Sequence, residues 1–254
     1  MTSAMLPVIQ ENAGYEIEQC LPFVVRQQGG SKLVYRLCRA YRRRGISALF
    51  LNGDAGELHR NLQRAGTAFA AMLERDSVIA AAASYAEPFF DAVAAHDFPT
   101  AERIAQRLSP AFTPGEEYEE DYYFLAILAA FLISPSDHTV SAQLLESFRE
   151  FAASSGDLRF DVASGLVARD AAAFAAAMDR WLDQREAQWN KATASDNVIE
   201  DDWATEGQFF VEGLAVVRIA ALLGIATEPD YLFIPSIAIE TVADNLSPYS
   251  WRQP

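Results

Sequence analysis

Three histidines, His59, His96 and His138, are the first candidates for a general base or a metal ligand. None has a Cys, His or carboxylate at a recognised metal spacing on its own helix face. His96 and His138 fall at helix ends. Each therefore reads as a solvated or capping side chain. Gly29-Gly30-Ser31 lacks the glycine-lysine pair of a phosphate loop, and no G-x-S-x-G elbow occurs. Cys20 and Cys38 sit in apolar helical patterns with nothing nearby to activate a thiolate, so they read as small buried hydrophobes. No metal, cofactor or catalytic residue is expected, and the chain is not expected to be an enzyme.

Carboxylates are the remaining candidates. Glu116, Glu117, Glu119, Glu120 and Asp121 crowd one helix start, and Glu200, Asp201, Asp202 and Glu206 crowd another. The simplest reading is the helix dipole, whose positive end favours acids in the first turn. A Mg²⁺ site would need carboxylates that converge in space, whereas neighbours along a helix start radiate outward. The third reading is a docking surface for a basic partner. Tyr118, Tyr122 and Tyr123 in the first cluster and Trp203 in the second supply aromatic anchors of the kind interfaces use, with the buried core as rival for some of these rings.

Charge distribution favours docking. Residues 1–75 hold ten Lys/Arg against six Asp/Glu, a balance of +4, which leaves 76–254 at −19 within a total of −15. Folding needs no such excess, and self-repulsion makes it mildly costly. It argues against nucleic acid or an anionic membrane, both of which present phosphate. The run Arg36, Arg39, Arg42, Arg43 and Arg44 is the exception, expected to face the acidic remainder of the chain or simply solvent. Met1 to Asn12 lacks a basic lead, and the most apolar stretch, Phe124 to Ile133, is about half a membrane span. A soluble cytoplasmic protein is expected.

Nearly every periodic segment reads as helix. Residues 31–48 carry Leu33, Leu37, Ala40 and Tyr41 on one face with Lys32, Arg36, Arg39 and Arg43 beside it. Asp54 with Glu57 starts the next helix, whose stripe is Leu58, Leu62, Ala65, Phe69 and Met72. Asp76-Ser77 opens another, restarted at Pro88. Helices follow over 99–108, 118–133 and 140–153. Asp97 and Asp170 each precede apolar residues at offsets four, seven, eight and eleven, the grammar of an antiparallel helix pair used twice. A long helix spans 171–192, residues 195–202 read as a loop, and an almost continuously apolar helix runs from Thr205 to Leu223, ending at Gly224 with Ile225 behind it. Pro229 and Pro235 bracket an apolar strap. The expectation is an all-α single domain over 15–254, a bundle of about ten antiparallel helices with weak tandem helix-pair character, preceded by a flexible segment over 1–14.

Gly165-Leu166-Val167-Ala168-Arg169-Asp170, with Phe174, Leu182, Arg185 and Trp189, forms a pattern with Gly213-Leu214-Ala215, Ala220, Gly224-Ile225 and Asp230-Tyr231-Leu232 before Pro235. It resembles the immunity protein 49 family of bacterial toxin–immunity systems. The resemblance implies an all-helical cytosolic protein, without enzymatic activity, that binds and neutralises a cognate antibacterial toxin. Its positions are mostly caps and core, so they mark a scaffold and not a contact surface. Candidate partner-binding residues remain the two acidic clusters: Glu116, Glu117, Tyr118, Glu119, Glu120, Asp121 and Tyr122, and Glu200, Asp201, Asp202, Trp203 and Glu206. The partner expected is a basic protein, for example a nuclease. A helical-repeat adaptor is the alternative, and a carboxylate-metal enzyme the third reading.

Overall fold

The apolar stripes become helices largely where the spacing puts them. A computed structural model describes residues 3–75, 82–134, 137–195, 198–244 and 246–253. Over these the chain is an all-α single domain of twelve α-helices and two 3₁₀ helices. The first three, α1 (Leu6–Val25), α2 (Gly30–Asn52) and α3 (Ala55–Arg75), are long, joined by tight turns and packed consecutively. The Asp54 carboxylate accepts from the Glu57 amide at 2.8 Å to start α3, and Leu58, Leu62, Ala65, Phe69 and Met72 are all buried. Burying each large apolar side chain contributes about 1.5–3 kcal/mol, which outweighs the weak propensity of any single position. Residues 6–14, expected as a flexible lead, instead form the first half of α1. Leu6, Ile9 and Ala13 are buried there, with Trp203 and Phe50 packed against Leu6 and Ile9.

The expected helix opening at Asp76-Ser77 falls on residues 76–81, outside the described residues. Residues 83–85 form a 3₁₀ turn, and Pro88 sits in the first turn of α4 (Glu87–Ala94), where its missing amide costs nothing. Two helix pairs then repeat one device. At the ends of α4 and of α8 (Arg159–Ala168), His96 and Arg169 take positive φ, 64° and 52°. The next amides, of Asp97 and Asp170, reach back to Ala92 and Gly165 at 2.9 and 3.1 Å. Asp97 then caps α5 (Phe98–Ala105) through the Thr100 amide, and Asp170 caps α9 (Ala171–Ala194) through the amides of Ala172 and Ala173. The left-handed residue closes one helix and its neighbour opens the next, so each pair folds back on itself.

The α8–α9 pair approaches closely at Gly165, where an added Cβ would lie 2.8 Å from the Phe174 backbone. Gly165→Ala is therefore expected to destabilise by about 1–3 kcal/mol despite alanine's better helix propensity. Gly14→Ala, with nothing within 4 Å of the added methyl, is expected to stabilise by about 0.5–1 kcal/mol. Urea melts of the two variants check this; a stabilised Gly165→Ala would mean the helices are not in contact there.

Central to the core are α6 (Glu119–Ile133) and α11 (Val211–Leu222), both apolar almost all round. The helix expected from Thr205 starts only at Val211. A short α10 (Glu200–Ala204) forms inside the expected loop, and the chain then opens at Phe209-Phe210 because the Phe210 amide donates to Phe233 in the strap, 3.0 Å away. After α11, Gly224 takes φ 75° and the Ile225 amide caps back to Ala220.

The strap is a tight turn, Tyr231 to Ile234, leading to α12 (Ser236–Glu240). Buried polar side chains hold the C-terminal segment down. The Ala238 carbonyl accepts from His59 Nε2 at 3.0 Å and from Arg218 at 3.1 Å, and Gln63 accepts from the Leu246 amide. Tyr41 donates to Trp251 at 2.8 Å. His59 thus departs from the solvated or capping role expected of it: it is fully buried and ties α12 to α3.

Candidate functional site

The first acidic cluster spans the loop before α6 and its opening turn. Glu117 is buried. Its carboxylate accepts from the Thr113 amide at 2.9 Å and the Ala83 amide at 2.8 Å, lacing this loop to the 3₁₀ turn at 83–85. The Tyr118 amide donates to Ser84 Oγ, a second stitch between the same segments. Tyr122 is also buried, with its hydroxyl on the Pro110 carbonyl and its ring against Phe112 and Tyr123. Glu117 and Tyr122 therefore leave the set of contact candidates: they build the surface and do not present it. Asp121 is paired with Arg159 at 2.9 Å. Glu116, Glu119 and Glu120 make no ion pair among the described residues, and Tyr118 is 68% exposed. Tyr85, 56% exposed, stands on the neighbouring stitched turn.

The second cluster is largely spent inside the protein. Asp202 accepts from Arg39 at 3.0 Å and from Arg43, Asp201 lies 3.8 Å from Arg43, and Glu206 lies 4.0 Å from Arg39. Arg39 and Arg43 thus face the acidic remainder of the chain, whereas Arg36, at the surface, pairs with Glu16 of α1. Trp203 packs on the α1 cluster, half-buried, and Glu200 accepts from Ser3. Arg42 turns inward on its own, pairing with Asp91 at 2.7 Å and donating to the Glu87 carbonyl at 2.9 Å. Burial raises the Asp91 carboxyl above its usual range, with Arg42 pulling the other way.

Between these clusters lies a cleft of about 250 Å³, which shares Arg159, Arg185, Phe210 and Glu212 with a second of about 370 Å³. Ala83, Ser84 and Asp121 belong both to its lining and to the laced acidic loops, so the exposed patch borders its mouth. Phe90, Phe124, Phe209 and Phe210 supply apolar wall. Arg159 and Arg185 enter from α8 and α9, and Glu206 and Glu212 from the α10–α11 junction. Arg159 is paired with both Asp157 and Asp121. Arg185 lies 4.1 Å over the Phe210 ring and donates to the Glu206 carbonyl, while its Nε has no partner. Burial pushes Arg185 down to about 10 and pushes the Glu212 carboxyl up.

Arg159 and Glu212 belong to no chemical motif in the sequence. One signal for Glu212 was available: with Arg218 it is one of two charges in the apolar run 209–224, and a lone charge in such a run needs a polar destination. Nothing local marked Arg159.

Among the described residues, no group of three or more His, Cys, Asp or Glu side chains could hold a metal ion, and no helix is long and apolar enough to cross a membrane. The chain matches no protein-family model, no curated protein and no solved structure.

Proposed function

We propose that this protein is a stoichiometric binding protein that neutralises a basic protein partner by covering it, acting as an immunity protein against an antibacterial toxin. One observation supports the docking surface above all. Tyr118 and Tyr85 stand exposed on two segments laced together by Glu117 and Ser84, beside the unpaired carboxylates Glu116, Glu119 and Glu120. Rigid aromatic anchors ringed by one sign of charge suit capture of a cationic surface, because little side-chain ordering remains to be done on binding. The −19 balance of residues 76–254 adds long-range attraction. The toxin half of the reading rests on the resemblance of residues 165–235 to the immunity protein 49 pattern. It implies a cytoplasmic protector against a toxin passed between bacteria, as in type VI secretion, and a nuclease suits the charge because its site must attract phosphate.

The second acidic cluster drops to a supporting role, since its carboxylates already hold α2. An adaptor with an open superhelical groove is the less favoured alternative, because α11 is buried nearly all round inside a closed core.

The toxin to test is the product of the neighbouring open reading frame, or whichever protein co-purifies from the native host. Glu116→Lys, Glu119→Lys and Glu120→Lys together are expected to weaken its binding roughly 10–100-fold and to flatten the salt dependence of association. Tyr118→Ala is expected to cost a further roughly tenfold. The same reversals at Glu200 and Asp201 should cost less. Calorimetric titration at low and high salt measures all of these, and unchanged affinity in the triple variant would rule out this surface.

A further inference from the structure

We propose that the cleft between α6, α8, α9 and α11 is a binding site for a small zwitterion, an α-amino acid with an apolar side chain or a ligand of the same chemistry. Its ammonium would lie on Glu206 and Glu212, its carboxylate on Arg185, and its side chain against Phe124, Phe209 and Phe210. The site goes beyond the docking reading, and its test needs no protein partner.

Two side chains of opposite charge lack hydrogen bonds in one place. Arg185 Nε and Glu206 Oε1 are both buried without a hydrogen bond, and both line this cleft; the clefts beside α1 and beside Tyr35 carry no such atom in their walls. They do not satisfy each other. Arg185 is held by its stack on Phe210 and by the Glu206 main-chain carbonyl, and Glu206 Oε1, with Arg39 4.0 Å away, accepts no hydrogen bond. Glu212, on the same wall, accepts no hydrogen bond and has no ion pair among the described residues. The hydrogen bonds of Arg159 go to Asp157 and Asp121, so Glu212 feels its charge without accepting from it.

Buried charges left unpaired cost the fold, so the arrangement is unfavourable while empty and favourable once a ligand supplies the missing groups. One orphan donor on a cation and two acidic acceptors ask for an acceptor anion and a multi-donor cation on one molecule. Ammonium and carboxylate on one carbon provide that pair. Burial lowers Arg185 and raises Glu212, and the attraction between them offsets only part of this. A volume of about 250 Å³ lies just under the ~300–1,000 Å³ of drug-sized sites and suits a ligand of amino-acid dimensions.

The experiment is a melting-temperature and calorimetry screen of the full chain against the standard amino acids at about 10 mM. The best binder is then compared with its methyl ester, which lacks the anion, and its N-acetyl form, which lacks the cation. Binding by the parent with at least about tenfold loss in both derivatives is expected. Glu212→Gln should lose ligand about tenfold while melting no lower than the parent protein, since it removes an unpaired buried charge. No shift with any amino acid, an ester that binds as well as the parent (a socket for a cationic side chain alone), or unchanged affinity in Glu212→Gln would each overturn the proposal.

Discussion

Replacing Arg42 by alanine is expected to cost the fold about 3–5 kcal/mol, the largest single-residue effect in this protein. Its guanidinium is buried, with Nε on Asp91 at 2.7 Å, a second nitrogen on the Glu87 carbonyl at 2.9 Å and a third 3.4 Å from the Glu87 carboxylate. Asp91 is itself 1% exposed, so removing the arginine strands a carboxylate away from water. The cost comes from that stranding, because the attraction within a buried pair only roughly repays its desolvation. Two further outcomes follow. Asp91→Ala should cost a similar amount, since it strands the arginine. The double variant Arg42→Met with Asp91→Leu should recover most of the loss. At about 2–4 °C per kcal/mol for a chain of this size, Arg42→Ala should melt about 6–20 °C lower. An exposed pair such as Arg180–Asp161 should cost well under 1 kcal/mol when broken, which gives the contrast. If the double variant were as unstable as the single ones, packing volume and not stranded charge would be the cause.

Acid should weaken the fold through His59. Burial, reinforced by the nearby Arg218 charge, lowers this histidine to about 4 from 6.5. Because Nε2 faces a carbonyl, which only accepts, Nε2 carries the proton of the neutral ring and donates to Ala238. The folded protein holds the ring neutral below pH 6.5, while the unfolded chain takes up a proton there. Protons therefore favour unfolding. The contribution is intact above about 6.5, falls as pH drops toward about 4, and amounts to about 3 kcal/mol over that span. His96 is pushed down by burial too, so the measurement must be a difference. His59→Gln, which can still donate to Ala238, should lose stability less steeply than the parent between about pH 7 and pH 5, by about 2 kcal/mol. Urea melts at the two pH values read this directly; parallel losses in parent and variant would show that His59 is accessible to protons in the folded state.

The parts of the fold legible beforehand share a property. Asp54, Asp97 and Asp170 cap their helices within three residues, Gly224 with Ile225 closes α11 within five, and the stripes of α3 and α9 repeat within one turn. Where the reading missed, the deciding partner was far away. The helix expected from Thr205 is interrupted because Phe210 bonds to Phe233, and His59 was placed in solvent because Ala238 lies 179 residues on. Glu117 and Tyr122 had the same composition as their exposed neighbours and gave no sign that one would be a buried stitch and the other a core ring.

The chain's residue order alone determined an all-α domain, its caps and turns, and an acidic excess concentrated after residue 75. These follow from backbone hydrogen bonds, side-chain caps and apolar periodicity, which act across a turn or less, and from charge totals, which need no geometry at all. Only the tertiary structure decided which of those charges are still free. It spent Asp201, Asp202 and Asp121 on Arg43, Arg39 and Arg159, buried Arg42 with Asp91, left Glu116, Glu119 and Glu120 beside Tyr118, and brought Arg185, Glu206 and Glu212 to one cleft without a hydrogen bond between their side chains. The reason is the reach of the interaction. An ion pair forms wherever packing brings two side chains within about 4 Å, and here that packing joins Arg39 to Asp202, 163 positions apart.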